Sequence, residues 1–158
     1  MYCTVIRSVQ GGATFSLVGH YAGPSKYYEE FRQLVPGSGT VPISYEEYEV
    51  RAKGITYALS LPDPELHFYT ASNTLLDALN YGKPGVYLKT PLISEYMAAL
   101  GDVGYVCEGL GEVVSRIVEL ATGDDEGRYR SQVRRIKLAR AQFTPGALAR
   151  CFREAVET

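Results

Sequence analysis

The stretch Tyr69-Thr-Ala-Ser-Asn-Thr-Leu-Leu-Asp-Ala-Leu-Asn-Tyr-Gly-Lys-Pro-Gly85 constrains the fold more than any other part of the chain. It reads as a small polar loop, a short helix over 73–81, a Gly stop and then a strand. Ser72 or Asn73 can cap the helix by accepting a bond from a free backbone N–H. Leu75, Leu76 and Leu79 make its apolar face, and Asp77 lies one turn inside on the exposed side. Gly82 ends the helix, and Pro84 forbids its continuation. Unpaired N–H groups and the positive dipole end favour an anion such as a phosphate at the N-terminus. The same residues also suit an ordinary capped helix with no ligand.

Read outward from this unit, the chain alternates strands and helices. Strands are expected at 2–8, 13–18, 40–43, 55–61, 86–88 and 104–107, with 66–69 either a short strand or irregular. The strongest is Ile55-Thr-Tyr-Ala-Leu-Ser-Leu61, β-branched, aromatic and apolar almost throughout. Ser25 is a suitable cap for a helix running to Val35. Ser44 with Glu46 and Glu47 opens another that Gly54 closes. A further helix spans 93–100. Beyond 109 the chain is helical: 110–121, 125–142, and 145–157 behind Thr144-Pro145, where proline suits the first helical position.

Such alternation with short links implies an α/β fold: a Rossmann-like, mostly parallel sheet with helices on both faces and a helical C-terminal tail. At 158 residues the chain reads as one domain, 1–158. Ligands of such sheets bind outside the carboxyl ends of the strands, which directs attention to loops 19–25, 61–73 and 89–95.

Composition narrows the class further. Cys3, Cys107 and Cys151 are odd in number and far apart, which argues for free thiols in a reducing, cytoplasmic setting and against a disulfide scaffold or zinc site. Two separated histidines give no metal-ligand spacing. No apolar run approaches a membrane span. The net charge of −2 conceals an asymmetry. Arg128 to Arg153 holds eight Arg or Lys and no Asp or Glu, against eight basic and eighteen acidic residues elsewhere. A segment of this kind either sits peripherally on an anionic membrane or is solvated and paired with the acidic remainder.

Residues 69–85 align without a gap to the central motif of retaining glycosyltransferases of the GT-B fold, the glycosyl transferases group 1 family. There a Glu, a Gly-rich turn, a helix carrying a second Glu eight positions on, and Gly-Lys-Pro follow one another. Further likenesses stand in the family's order. Ser16-Leu-Val-Gly-His20 resembles a strand ending in Val-Gly-x-Gly. Ser94-Glu95-Tyr96 falls where a Pro-Glu pair stands. Gly104-Tyr-Val-Cys-Glu108 resembles the segment before the final helices, and Phe143-Thr-Pro-Gly-Ala-Leu-Ala-Arg-Cys-Phe152 resembles the C-terminal signature. The likeness covers residues 13–157, the donor-binding, C-terminal half of such an enzyme.

The resemblance implies a domain that binds a UDP-, GDP- or ADP-sugar, for hexosyl transfer to an acceptor held by an N-terminal domain elsewhere. It implies no cofactor, no metal and no nucleic-acid partner. The family's second Glu falls on Asp77, whose carboxylate would accept hydrogen bonds from the ribose hydroxyls. Ser72, Asn73 and Thr74 occupy the phosphate-binding turn, and the helix end would stabilise the departing nucleotide diphosphate. Gly19 and His20 follow a strand end on the donor side, and Lys89 faces the presumed cleft. The family's first Glu falls on Tyr69, counted with the donor-binding residues although a phenol cannot act as a carboxylate would. The early Arg and Lys that hold donor phosphates have no firm counterpart; Arg7 and Gln10 stand nearest. No catalytic residue is assigned. These departures support an alternative: a degenerate transferase-like domain serving as a non-catalytic interaction module.

Overall fold

Three short parallel strands, β1 (Ala58–Ser60), β2 (Gly85–Leu88) and β3 (Gly104–Cys107), form a sheet in the order β1-β2-β3. The computed structural model describes residues 1–9, 12–62, 73–123 and 125–156. Gln10, the segment expected at 66–69, Tyr69 and Ser72 lie outside the described residues. Ala58 pairs with Gly85, and Gly85 in turn with Gly104.

The helices are α1 (Tyr2–Ser8), α2 (Tyr28–Leu34), α3 (Tyr45–Gly54), α4 (Asn73–Asn80), α5 (Pro91–Leu100), α6 (Leu110–Thr122), α7 (Glu126–Arg140) and α8 (Pro145–Val156). Strand alternation divides the core into two layers. Val86, Leu88, Tyr105 and Cys107 face α1 and α6, meeting Val5, Val9, Val113 and Ile117. Tyr87 and Val106 face the other way, toward Leu75 and Leu79 of α4, Ile93 and Leu100 of α5, and Ile136 and Ala139 of α7. Both crossover helices, α4 and α5, therefore cover one face. That is what two crossovers of the same hand produce when the strands are laid down in one direction. The helices-on-both-faces arrangement thus holds for a small sheet.

Local chemistry explains the boundaries. Gly82, at φ +69°, stops α4: its N–H donates to the Leu79 carbonyl at 3.1 Å while Lys83 N–H donates to Ala78 at 2.8 Å. The Ser44 hydroxyl accepts from Glu47 N–H at 3.2 Å and so caps α3. Thr90 does the same for α5 through Ile93 N–H at 3.2 Å. With Pro91 as its first residue, α5 begins two residues earlier than the sequence suggests.

Three expected strands are not formed. Residues 2–8 are the helix α1, and Val5, Ile6 and Val9 are buried at helical spacing. The β-branched run Thr4-Val5-Ile6 suggests a strand, but burial against α6 and α2 overrides that weak preference. Residues 13–18 carry no strand pairing; Phe15 and Leu17 pack as partly buried side chains. Residues 40–43 likewise stay irregular, and only three residues of the expected 55–61 strand join the ladder. The described sheet is consequently smaller than the pattern implied. No helix among the described residues is long and apolar enough to cross a membrane.

Candidate functional site

Thr74, Asp77 and Ala78 of α4 stand at i, i+3 and i+4 and so share one face of the helix, and Tyr81 follows directly after its last residue. They line one side of a cleft of about 1370 Å³. Tyr48 of α3 lines it beside them, and Gly19, His20 and Tyr21 belong to its lining from the N-terminal segment. Four of the expected site residues, Gly19, His20, Thr74 and Asp77, are therefore brought to a single cleft.

Asp77 is exposed, and its Oδ2 accepts a hydrogen bond from the Tyr48 hydroxyl at 2.6 Å. Burial, reinforced by this bond and by the carboxylate's charge, raises the Tyr48 pKa well above the ordinary phenol value. Tyr48 thus stays a neutral donor throughout the physiological range. Its ring leans on Tyr81 at 6.1 Å between centroids. The contact joins residues 29 positions apart, from two helices.

Other bonds hold the two sides of the cleft together. Arg51 of α3 donates to the Leu17 carbonyl at 3.1 Å and pairs with Glu47 at 2.5 Å, tying the N-terminal segment to α3. Tyr21 N–H donates to the Gly39 carbonyl at 2.7 Å, and its ring packs on Tyr28 and Phe31. Lys83 donates to the Lys53 carbonyl at 2.7 Å and so closes the C-terminal end of α3. A side chain added at Gly19 would meet nothing within 4 Å, so packing does not require glycine there.

The other expected residues lie elsewhere. Lys89 sits at the carboxyl ends of β2 and β3, where its Nζ pairs with Glu108 at 2.6 Å; it does not line the cleft. Asn73 is the first residue of α4 and is exposed, but it too is absent from the lining. Arg7 pairs with Glu30 at 3.3 Å, which joins α1 to α2, and it does not line the cleft. Tyr69, Ser72 and Gln10 are outside the described residues.

Among the described residues no three of His, Cys, Asp and Glu cluster as metal ligands would. Cys107 is buried, and burial pushes its thiol up to about 11, so it is not an activated nucleophile. The cleft as formed offers the carboxylates of Asp77 and Glu30, phenols, an imidazole, a lysine and several hydroxyls. That set can both donate to and accept from a hydroxyl-bearing ligand.

Tyr48 is the site residue that the sequence pattern does not single out. The available signal was slight: a tyrosine in a helix otherwise rich in charge, Tyr45-Glu-Glu-Tyr-Glu49. Compared with known proteins, the chain matches no family model, no curated protein and no solved structure.

Proposed function

We propose that this chain is the donor-binding domain of a nucleotide-sugar-dependent glycosyltransferase of GT-B type, working with an acceptor domain outside these residues. The observation that carries the reading is Asp77. It stands one turn inside the helix that follows β1 and lines a cleft shared with Gly19, His20 and Thr74. Its carboxylate already accepts a hydroxyl proton, from Tyr48 at 2.6 Å. A ribose hydroxyl would make the same bond, and two carboxylate oxygens can serve the 2′ and 3′ positions together. In this reading the diphosphate lies toward the N-terminal end of α4, next to Asn73 and Thr74, where free N–H groups and the helix dipole favour negative charge. His20 lines the same cleft from the N-terminal segment. Lys89, neutralised by Glu108, has at most an outer part.

Calorimetric titration with UDP, GDP, ADP and their sugars tests this. One nucleotide class binds, and Asp77→Ala weakens it by about 10- to 100-fold, the worth of a hydrogen bond to a charged group. Absence of binding by every nucleotide would overturn the reading.

One observation favours a second reading, a transferase-like domain that serves as a non-catalytic interaction module. The carboxylate is occupied by the chain's own tyrosine, and Tyr69 stands where the family has its first Glu. That reading requires a stable protein partner together with no nucleotide affinity in either the parent chain or Tyr48→Phe.

A further inference from the structure

The C-terminal helices present a surface that owes nothing to the nucleotide reading. On α7, Gln132, Ile136 and Ala139 are buried, which leaves Arg134, Lys137 and Leu138 on the outer side; Leu138 is 61% exposed. Phe143, in the turn that follows, is 41% exposed. On α8, Phe152 and Val156 stand one helical turn apart and are 72% and 68% exposed, with the exposed Arg153 beside them. Large apolar side chains left in water on a helix, flanked by cations, mark an interaction face.

Charge says what kind of surface fits it. From Arg128 to Arg153 there are eight cations and no acidic residue. The basic side chains near the chain's own acids are engaged: Arg128 pairs with Asp102 at 3.4 Å and Arg130 with Glu126 at 2.5 Å. Among the described residues Arg134, Lys137, Arg140 and Arg150 form no ion pair. The rest of the chain carries eighteen acidic against eight basic residues, with Glu154 the one acid within α8, so a negative surface attracts α7 most strongly and repels the bulk of the molecule. A nucleic acid would take the cations but leave Phe152 and Val156 in water. An anionic bilayer takes both.

We propose that α7, the Phe143 turn and α8 dock this protein on an anionic lipid surface. Arg134 and Lys137 meet the headgroups, while Phe143, Phe152 and Val156 enter the boundary with the acyl chains. The docking is peripheral and reversible, because a short apolar strip with a few cations binds weakly compared with a spanning helix.

Co-sedimentation of the full chain with vesicles tests it. Two compositions are compared: phosphatidylcholine alone, and phosphatidylcholine with about a third phosphatidylglycerol. The protein sediments with the anionic vesicles at least about tenfold more than with the neutral ones, and roughly 0.5 M salt releases it. Arg134→Glu with Lys137→Glu abolishes binding, and Phe152→Ser weakens it; these side chains are exposed, and circular dichroism checks that each variant folds. Equal sedimentation with both vesicles, none with either, or binding that survives charge reversal would overturn the proposal. So would a concentration-dependent dimer that Phe152→Ser dissolves without any vesicle binding, which would assign the face to a second copy of the chain. Binding to a short DNA duplex in the absence of vesicle binding would overturn it likewise.

Discussion

The Tyr48 hydroxyl and the Asp77 carboxylate compete with any ligand for each other, and this sets the behaviour of single substitutions in the cleft. Tyr48→Phe removes the internal donor and leaves an exposed carboxylate ready for a ligand hydroxyl. On the donor-domain reading it tightens nucleotide binding by about 3- to 10-fold, the worth of one hydrogen bond, in the same calorimetric titration. Unchanged or weaker binding would mean that Tyr48 orders Asp77 and does not occupy its ligand position. A second phenol behaves differently. The Tyr87 hydroxyl is fully buried and has no hydrogen-bond partner among the described residues. An unpaired buried hydroxyl costs on the order of 1–3 kcal/mol, whereas the ring fills space that phenylalanine fills equally well. Tyr87→Phe is therefore expected to stabilise the protein by about 1 kcal/mol in urea unfolding. A loss of stability of similar size would show that the hydroxyl is satisfied after all.

At the level of elements, the Tyr87 ring explains why two strands begin with glycine. It lies across Gly85 and Gly104, which pair in adjacent strands. A methyl group at Gly104 would stand 2.8 Å from both the Gly85 nitrogen and a carbon of that ring, and would press on the Gly85 carbonyl as well. Backbone cannot yield as a flexible side chain can. Gly104→Ala should cost about 2 kcal/mol or more, read as a lower midpoint in denaturant. Glycine at Gly37, where nothing lies within 4 Å, owes its place to a φ of +81° alone. Elements whose ends carry their own chemistry were legible in the sequence: Ser44 for α3, Gly82 and Pro84 for α4, Pro145 for α8. Strands β2 and β3 were legible because each is a short apolar run bounded by glycine. What could not be read was pairing. Residues 13–18 look like a strand but pair with no strand among the described residues, and Thr4-Val5-Ile6 looks like one until α6 provides a surface at helical spacing. The cleft follows the same division. The face Thr74–Asp77–Ala78 follows from local periodicity, while Tyr48 reaches Asp77 through a tertiary contact that no local pattern encodes.

Across the whole molecule, phenols and a thiol held protonated make stability depend on alkaline pH. Burial raises Tyr48, Tyr87 and Tyr105 above the ordinary phenol value of 10.0. It pushes Cys107 up from 9.0 to about 11. The unfolded chain loses these protons first, so the contribution is complete below about pH 9 and is lost as pH rises through 9 and 10 toward the folded values. Urea midpoints should be level on the acid side of that window and decline above it, with a shallower decline in Tyr87→Phe. A midpoint that does not move between about pH 8 and 10.5 would overturn this account.

Strand order along the sheet matches order along the chain, β1-β2-β3. Among the described strands each therefore finds its ladder partner in the one made just before it. The first helix is in the opposite position. Val5 and Val9 bury against Val113 and Ile117, which are made more than a hundred residues later. α1 is thus made well before the surface that buries it, and until then its apolar face is open to whatever else it meets.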